Sequence, residues 1–365
     1  MSYNVAVGLA VVLVAGLFQG SFMLPSKWMR GWAWENYWLI FAFSAYLVCP
    51  WSLALATIPR LADVYRGTPA ATVLWVTVFG LGWGIGAVTF GLGVDAIGLA
   101  LGFAVILGIA ATSGTLIPLL VRPPAGFTAQ QGVVTALALA VMLLGVALCS
   151  FAGNWKEQKA AALRRQSYRY GLLICVLSGL LSSCGNLGFT FGAGIEHQAA
   201  RLGASAALAP NALWPLLTPP LLLCNAGYAL YLLRRNDSSR RYRAAGSLGN
   251  GARAFAMGLI WMAGMASYGI GASRMGGLGK SLGWAILMSS MVLVANVLGL
   301  LTGEWVGAPA RARRRLALGL GFLLLAIAGL GYANSLAADR PRPLTFTRHS
   351  MHQALFAVPQ LRARP

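Results

Sequence analysis

Apolar runs of about 20 residues recur along nearly the whole chain, and they limit the possible folds more than any other feature. A helix of that length crosses a hydrocarbon core roughly 30 Å thick. In lipid the backbone must satisfy its hydrogen bonds within the structure, so each run is predicted to be a helix. The strict alternation of apolar and polar residues that a transmembrane barrel requires is absent. We therefore predict an all-α integral membrane protein with ten transmembrane helices, at about Val5–Leu24, Tyr37–Ile58, Thr72–Leu92, Ile97–Leu120, Val133–Phe151, Tyr170–Phe191, Leu208–Leu233, Phe255–Ile270, Leu282–Leu301 and Leu316–Asn334.

Charged residues are scarce and lie outside these runs. They make up 10% of the chain, against about 25% in a typical soluble domain. All 28 Lys and Arg residues fall in the connections, at the margins of the runs or in the C-terminal tail. This placement is expected because a cation at the centre of a span costs roughly 2.5–3.5 kcal/mol. The formal charge of +20 therefore indicates membrane topology and contact with anionic membrane lipid, and we expect no nucleic-acid partner.

The distribution of Lys and Arg also predicts the orientation. The connections after the odd-numbered spans hold 17 of these residues, those after the even-numbered spans hold 6, and the tail holds 5. By the positive-inside rule, we expect a multi-pass protein of the bacterial cytoplasmic (inner) membrane with both termini outside. No Lys or Arg precedes the first span, so we expect this span to be retained rather than cleaved as a signal peptide.

One stretch of sequence occurs twice. Gly80–Gly98 reads GLGWGIGAVTFGLGVDAIG, and 178 residues later Gly258–Gly276 reads GLIWMAGMASYGIGASRMG. Five glycines, one leucine and the tryptophans Trp83 and Trp261 are identical at this offset. Because the two copies lie five spans apart, they are predicted to cross the membrane in opposite directions, as in the inverted-topology repeats of secondary transporters. Chance similarity between glycine-rich spans is the alternative.

This repeat divides the chain into four parts. Residues 1–152 are the predicted first five-helix half and 170–334 the second, an inverted five-plus-five arrangement. Residues 153–169 between them are a basic cytoplasmic linker. Residues 335–365 are a polar tail that we expect to be disordered.

A second pattern extends over nearly the whole membrane region. Its segments, in chain order, are Pro25-Ser26-Lys27, Trp32-Ala33-Trp34-Glu35-Asn36-Tyr37-Trp38, Pro50-Trp51, Trp83-Gly84-Ile85-Gly86, Gly91-Leu92, Gly114-Thr115-Leu116, Pro118 and Gly303-Glu304-Trp305. This pattern resembles the L-rhamnose–proton symporter family of the drug/metabolite transporter superfamily. The resemblance implies ten helices, an inverted repeat and proton-coupled sugar uptake. The ninth span departs from the family pattern, because Lys280 stands where acidic and polar residues are expected and Leu287 where a histidine is expected.

The resulting hypothesis is a secondary transporter for an L-rhamnose-like sugar or a similar small polar metabolite, coupled to protons and working by alternating access. An uncoupled or differently coupled carrier is the first alternative. A membrane-embedded enzyme acting on lipid-linked sugar is a weaker one, because paired carboxylates are absent and only three histidines occur. Without a Walker-type loop or CxxC spacing we expect no ATP use, no metal and no cofactor. A structural or receptor subunit fits poorly with the glycine-rich repeat, and the oligomeric state is not indicated.

A pyranose presents hydroxyl groups and one weakly apolar face, so its site needs amide or hydroxyl partners and an aromatic platform. Trp83 and Trp261 are favoured because they share the repeat register, although tryptophans near span ends are more often interfacial anchors. Asn186 has the alternative role of joining helices, and Asn211 that of capping the seventh helix. The predicted substrate-binding residues are Trp83, Thr89, Phe90, Asn186, Asn211, Trp214, Trp261, Ser267, Tyr268 and Trp284.

Proton coupling needs an ionisable group whose access alternates between the two sides. None of the eight acidic residues lies deep in a predicted span, and those at span margins are by default solvated or capping carboxylates. We predict Lys280, Glu35 and Asp95 as coupling residues. Lys280 is the most specific candidate of the three. It lies at the entrance of the ninth span, where it could bind an anion, serve as the proton site or snorkel to the surface.

Overall fold

The computed structural model describes residues 3–124, 127–157 and 168–338, and the regular secondary structure within these ranges is helical. Ten helices are long and apolar enough to cross a membrane, which confirms the predicted fold class. The predicted linker and tail fall largely on residues 158–167 and 339–365, outside the described residues. The helices are α1 Tyr3–Ser21, α2 Trp34–Thr57, α3 Ala70–Ile97, α4 Leu99–Val121, α5 Ala129–Glu157, α6 Tyr168–Phe191, α7 Trp214–Arg235, α8 Ser247–Arg274, α9 Gly279–Leu301 and α10 Ala310–Ala338.

The turns at the ends of α3 and α8 lie at the last glycine of each repeat copy. The predicted breaks after Leu92 and Ile270 are wrong, because α3 continues to Ile97 and α8 to Arg274. The chain turns at Gly98, with φ of +91°, and at Gly276, with φ of +81°. Residues other than glycine rarely adopt a positive φ, because their Cβ atom clashes with the backbone. The glycines that precede the turn in each repeat copy remain helical, because packing against neighbouring helices keeps the helix continuous at these positions.

The helices pack in pairs that correspond when each helix is exchanged with the one five positions later. The pair α3–α6 corresponds to α8–α1, α4–α6 to α9–α1, and α3–α7 to α8–α2. The same holds for α4–α5 with α9–α10 and for α3–α4 with α8–α9, whereas α2–α7, α4–α9 and α5–α10 map onto themselves. The contacts therefore have an approximate twofold relation between the halves.

Close glycine contacts follow the same exchange. A methyl group at Gly80 would collide with the α7 backbone, and one at the equivalent Gly258 would collide with α2. Gly86 likewise lies against the α6 backbone, and its equivalent Gly264 lies against a side chain of α1. These glycines let the helices approach closely.

α3 and α8 run in opposite directions through the bundle. Successive contacts make α3 parallel to α7, α7 antiparallel to α2, and α2 parallel to α8. The contacts, in helices or in the turns that lead into them, are Gly80 with Leu217 and Gly84 with Cys224, then Trp38 with Asn225 and Thr57 with Asn211, then Trp32 with Ser247 and Ser44 with Phe255.

α2 contains a π-helical turn at Ser44–Val48. In a regular helix the ring of Pro50 would clash with the carbonyl of Tyr46, four residues earlier. The wider turn relieves this clash. The Ser44 hydroxyl then donates to the Phe255 carbonyl oxygen at 2.9 Å, which fixes α2 against α8.

The connections gather at two ends of the bundle. We call the end at which α1, α3, α5, α7 and α9 finish the odd-loop end, and the opposite end the even-loop end. At the odd-loop end Lys27 forms an ion pair with Glu304, so the α1–α2 and α9–α10 connections meet. At the even-loop end the Asn334 amide donates to the Met275 carbonyl oxygen at 3.1 Å.

Candidate functional site

The two repeated tryptophans meet at the middle of the bundle. Trp83 and Trp261 stand at the midpoints of α3 and α8, each 28 residues long. Their ring centroids are 5.8 Å apart, with the planes inclined by 35°. Tyr46 contacts Trp261 edge-on at 5.0 Å, and the Gln19 amide donates to the Trp261 carbonyl oxygen at 2.7 Å. Sequence reasoning predicted the tryptophans but not Gln19 or Tyr46.

The surroundings of the two rings differ. Trp261 is buried at 5% exposure, whereas Trp83 is only half-buried. Trp83 lies directly on the α6 backbone, since a methyl group at Gly185 would come within 2.7 Å of the indole. The Trp83 ring therefore has one face against α6 and part of its surface open.

An amide cluster adjoins this pair: its Asn186 directly follows Gly185 on α6, and its Tyr268 lies two helical turns beyond Trp261 toward the even-loop end. The Asn186 amide donates to the Gly114 carbonyl oxygen at 2.8 Å and to the Lys280 carbonyl oxygen at 3.1 Å. Its carbonyl oxygen accepts from the Tyr268 hydroxyl at 2.6 Å. Asn186 thus joins α4, α6, α8 and α9, as its alternative role requires, and its part in substrate binding stays a prediction.

An aromatic wall adjoins the amide cluster. Phe189 lies between Trp214 and Tyr268, with centroid distances of 5.3 Å to each. Trp284 packs edge-on against Tyr268 at 5.8 Å and donates to the Ala110 carbonyl oxygen at 3.1 Å. The Trp214 indole N–H is buried and, among the described residues, has no hydrogen-bond partner. It is a donor that the protein itself leaves unused.

Lys280 and Glu196 form an ion pair beside this wall. The Lys280 Nζ lies 2.7 Å from Glu196 Oε1, and the side chains are 17% and 15% exposed. The ammonium also donates to the Phe189 carbonyl oxygen at 3.3 Å and sits 4.9 Å from the Phe189 ring centroid. Lys280 is therefore paired inside the protein and does not snorkel to the surface. The expectation of a solvated or capping carboxylate is wrong for Glu196.

The remaining substrate-binding candidates lie apart from the cluster. The Thr89 hydroxyl donates to the Ile85 carbonyl oxygen of its own helix at 2.8 Å, and Phe90 packs edge-on against Phe103 at 4.8 Å. Ser267 is half-buried on α8. The Asn211 amide donates to the Thr57 hydroxyl at 3.1 Å. Asn211 therefore links two helices, and the prediction that it caps the seventh helix is wrong because α7 has no side-chain cap.

The other two coupling candidates lie at the odd-loop end. Glu35 is 4% exposed and accepts hydrogen bonds from the Ser238 hydroxyl at 2.6 Å and the Asn236 amide at 3.1 Å. Burial and the nearby Glu35 carboxylate raise the pKa of Tyr242, which keeps this phenol neutral. Asp95 is exposed near the end of α3. Neither carboxylate is brought together with Lys280.

A basic cavity of about 480 Å³ also opens at the odd-loop end. Three cationic side chains and one indole line it, together with small residues and an amide: Lys27, Trp28, Arg30, Ala245, Gly246, Asn250 and Arg253. Trp28 is 58% exposed. No cluster of metal-ligating side chains occurs in the part of the chain that the structure describes.

A model of the L-rhamnose-proton symport protein (RhaT) family matches residues 1–334. The chain belongs to this family. The match ends where the polar tail was predicted to begin, and it confirms the resemblance seen in the sequence.

Curated relatives agree with this assignment. An L-rhamnose-proton symporter of Cronobacter sakazakii is 28% identical over 346 residues, covering 92% of this chain and all of the relative. The proteins of the same name from Klebsiella pneumoniae and Escherichia coli are 27% and 26% identical, again over 92% of this chain and their whole lengths. These relatives are named as symporters and not as enzymes. With ten membrane-spanning helices, the present RhaT-family chain is a multi-pass inner-membrane protein.

Proposed function

We propose that this protein is a proton-coupled secondary transporter for L-rhamnose or a closely similar sugar, and that it works by alternating access between its two halves. Membership of the RhaT family supports the substrate class and the coupling ion. The structural observation that carries the proposal is the contact of Trp83 with Trp261 at the midpoints of two antiparallel helices.

The halves are proposed to be an inverted repeat. Support comes from the 178-residue offset, from the exchange of helix pairs, and from matched glycine contacts on α3 and α8. In transporters of this architecture the substrate binds near the membrane midplane where the repeats meet, and one bundle rocks against the other.

The sugar is proposed to bind at the half-buried ring of Trp83. An aromatic face matches the apolar face of a pyranose, and polar groups nearby match its hydroxyls. The unused indole N–H of Trp214 and the Asn186–Tyr268 pair supply such groups on the side of the even-loop end. We assign Trp261 to the support of the site, because Tyr46 packs edge-on against its ring and Gln19 holds its backbone carbonyl oxygen.

The pairing of Lys280 bears on the alternative of an anionic substrate. A buried cation without a partner would attract a charged ligand. Here Glu196 already neutralises Lys280, so a neutral sugar fits the site better than an anion.

The orientation is proposed to place the odd-loop end in the cytoplasm and both termini outside, following the excess of Lys and Arg at that end. The basic cavity at the odd-loop end would then face the anionic inner leaflet. Such cavities suit phospholipid head groups, so we propose membrane lipid as its ligand.

The test is uptake of radiolabelled L-rhamnose into membrane vesicles with an imposed pH gradient, acid outside. We expect accumulation that a protonophore abolishes, and competition by unlabelled L-rhamnose in preference to other hexoses. Accumulation that is insensitive to protonophore would indicate the uncoupled alternative, and no accumulation of any sugar above empty vesicles would contradict the proposal.

A further inference from the structure

We infer that the ion pair of Glu196 with Lys280 is the proton-coupling site, and that Glu196 takes up and releases the transported proton. This inference rests on the proposed function and names the residue that couples it to the proton gradient. Glu196 lies on the short helix Ala193–Arg201, which follows α6, and its partner lies in the first turn of α9.

The burial of the pair makes its charge state matter. Charges withdrawn from water are stable only when each has its partner, and loss of one partner is strongly destabilising. Protonation of Glu196 would leave the Lys280 ammonium without an anionic partner, beside the Phe189 carbonyl oxygen and ring. That state becomes stable when water reaches Lys280, so proton uptake and opening of the even-loop end favour each other.

The other charged groups around this end include His197, whose charge acts on Glu196, Arg60, which donates to the Leu202 carbonyl oxygen at 3.4 Å, and Arg274 in the last turn of α8. His197 and Arg201 lie on the same short helix as Glu196, and both are exposed. From the α4–α5 side, Arg122 lies 5.2 Å from the Phe191 ring centroid. Asp63, the other acid at this end within the described ranges, pairs with Arg66 at 3.5 Å. Glu196 is thus the carboxylate that faces Lys280.

The pair is joined to the proposed sugar site by the backbone of Lys280. Its carbonyl oxygen accepts from the Asn186 amide and lies 2.8 Å from the Tyr268 hydroxyl oxygen, whose single hydrogen it shares with the Asn186 carbonyl oxygen. Tyr268 follows Trp261 by seven residues on α8, roughly 10 Å along the helix. If Lys280 shifts when Glu196 loses its negative charge, the Asn186–Tyr268 pair that the sugar is proposed to contact shifts as well.

The proton balance is simple. From the outer side a hydronium ion transfers one proton to the Glu196 carboxylate, which becomes a neutral carboxylic acid and leaves the Lys280 ammonium unchanged. Closure of the even-loop end over the bound sugar withdraws water from Lys280 again, so the ammonium without an anionic partner favours loss of the proton. The acid then releases this proton to water that enters through the central site as the odd-loop end opens. The carboxylate then pairs with Lys280 again, so one proton moves with each sugar.

The decisive variant is Glu196→Gln, compared with Asp63→Asn as the matched control at the same end. We expect Glu196→Gln to lose at least tenfold in pH-driven L-rhamnose accumulation and to lose the proton uptake that L-rhamnose triggers in detergent solution. Sugar counterflow, which needs no net proton movement, should stay within a few-fold of the wild type. Asp63→Asn should leave all three readouts unchanged.

If Glu196→Gln does not fold because Lys280 is left unpaired, the double variant Glu196→Gln with Lys280→Met removes both charges and is expected to give the same pattern. Wild-type accumulation and proton uptake in these variants would overturn the inference. Equal loss of counterflow and accumulation in a folded variant would also overturn it, since the pair would then serve packing or binding. Failure of the wild type to exchange any sugar would instead contradict the proposed function itself.

Discussion

Trp83 and Trp261 are equivalent in sequence and unequal in surroundings. The half-buried ring of Trp83 rests on the backbone of α6, where Gly185 leaves room for it. Trp261 is enclosed by Tyr46 and by the Gln19 amide. We therefore expect the first ring to touch the ligand and the second to hold the first in position.

This difference predicts unequal effects of substitution. Trp83→Leu should raise the KM for L-rhamnose by about tenfold, because an aromatic contact contributes about 1.4 kcal/mol at most. Trp261→Leu should lower the thermal stability in detergent as well, because it leaves a cavity in the core. Trp75→Leu is the control, since this exposed indole of α3 faces away from the centre.

Uptake kinetics and thermal unfolding, measured on the same purified variants in liposomes and detergent, check this prediction. Full transport by both the Trp83 and the Trp261 variant would show that the rings only pack.

Single residues were predicted from the sequence only where a local pattern marks them. The tryptophans stand out through the repeat register. Glu196 did not, because its partner is 84 residues away and a carboxylate near a span end usually meets water. Gln19 is a polar residue whose partner lies 242 residues away, and no spacing in the sequence joins the two.

Among the helices, α3 has close neighbours on two sides. It lies against α6 on one side and α7 on another, with glycines at both contacts. The sequence predicted which segments form helices. It missed where α3 and α8 end, because a glycine pattern does not tell which glycine adopts a positive φ.

We predict that Gly80→Ala and Gly258→Ala lower the thermal stability by similar amounts, of about 1–3 kcal/mol each, because each added methyl group meets the backbone or a side chain of the neighbouring helix. Gly91→Ala is the matched control on α3, since nothing lies within 4 Å of the added methyl group. It should be neutral or stabilising by up to about 1 kcal/mol, as alanine favours a helix more than glycine does.

Thermal unfolding in detergent, followed by the fraction of monodisperse protein, gives the comparison. A large loss for Gly80→Ala together with none for Gly258→Ala would contradict an equivalent role for the two positions.

At the scale of the whole molecule, the two ends of the bundle are predicted to face opposite sides of the membrane. The test uses single cysteines in a background that lacks the five native ones. Leu248→Cys lies at the odd-loop end, where Leu248 is 91% exposed, and Ala200→Cys lies on the exposed surface of the even-loop end. A membrane-impermeant maleimide should label only Ala200→Cys in intact spheroplasts and only Leu248→Cys in inside-out vesicles.

Labelling of both cysteines from the same side would contradict the opposed ends, and the reverse pattern would invert the proposed orientation. Both outcomes are read from one gel shift, and neither depends on transport activity.

The unequal burial of the two central indoles has a stereochemical consequence. A monosaccharide is chiral and has no rotational symmetry, so a perfectly twofold cradle would accept it equally well in two poses related by half a turn. One open ring opposite one enclosed ring removes that degeneracy. In the proposed inverted repeat, the two related halves would supply the relative motion, and the departure from symmetry at their axis would fix the orientation of the bound sugar.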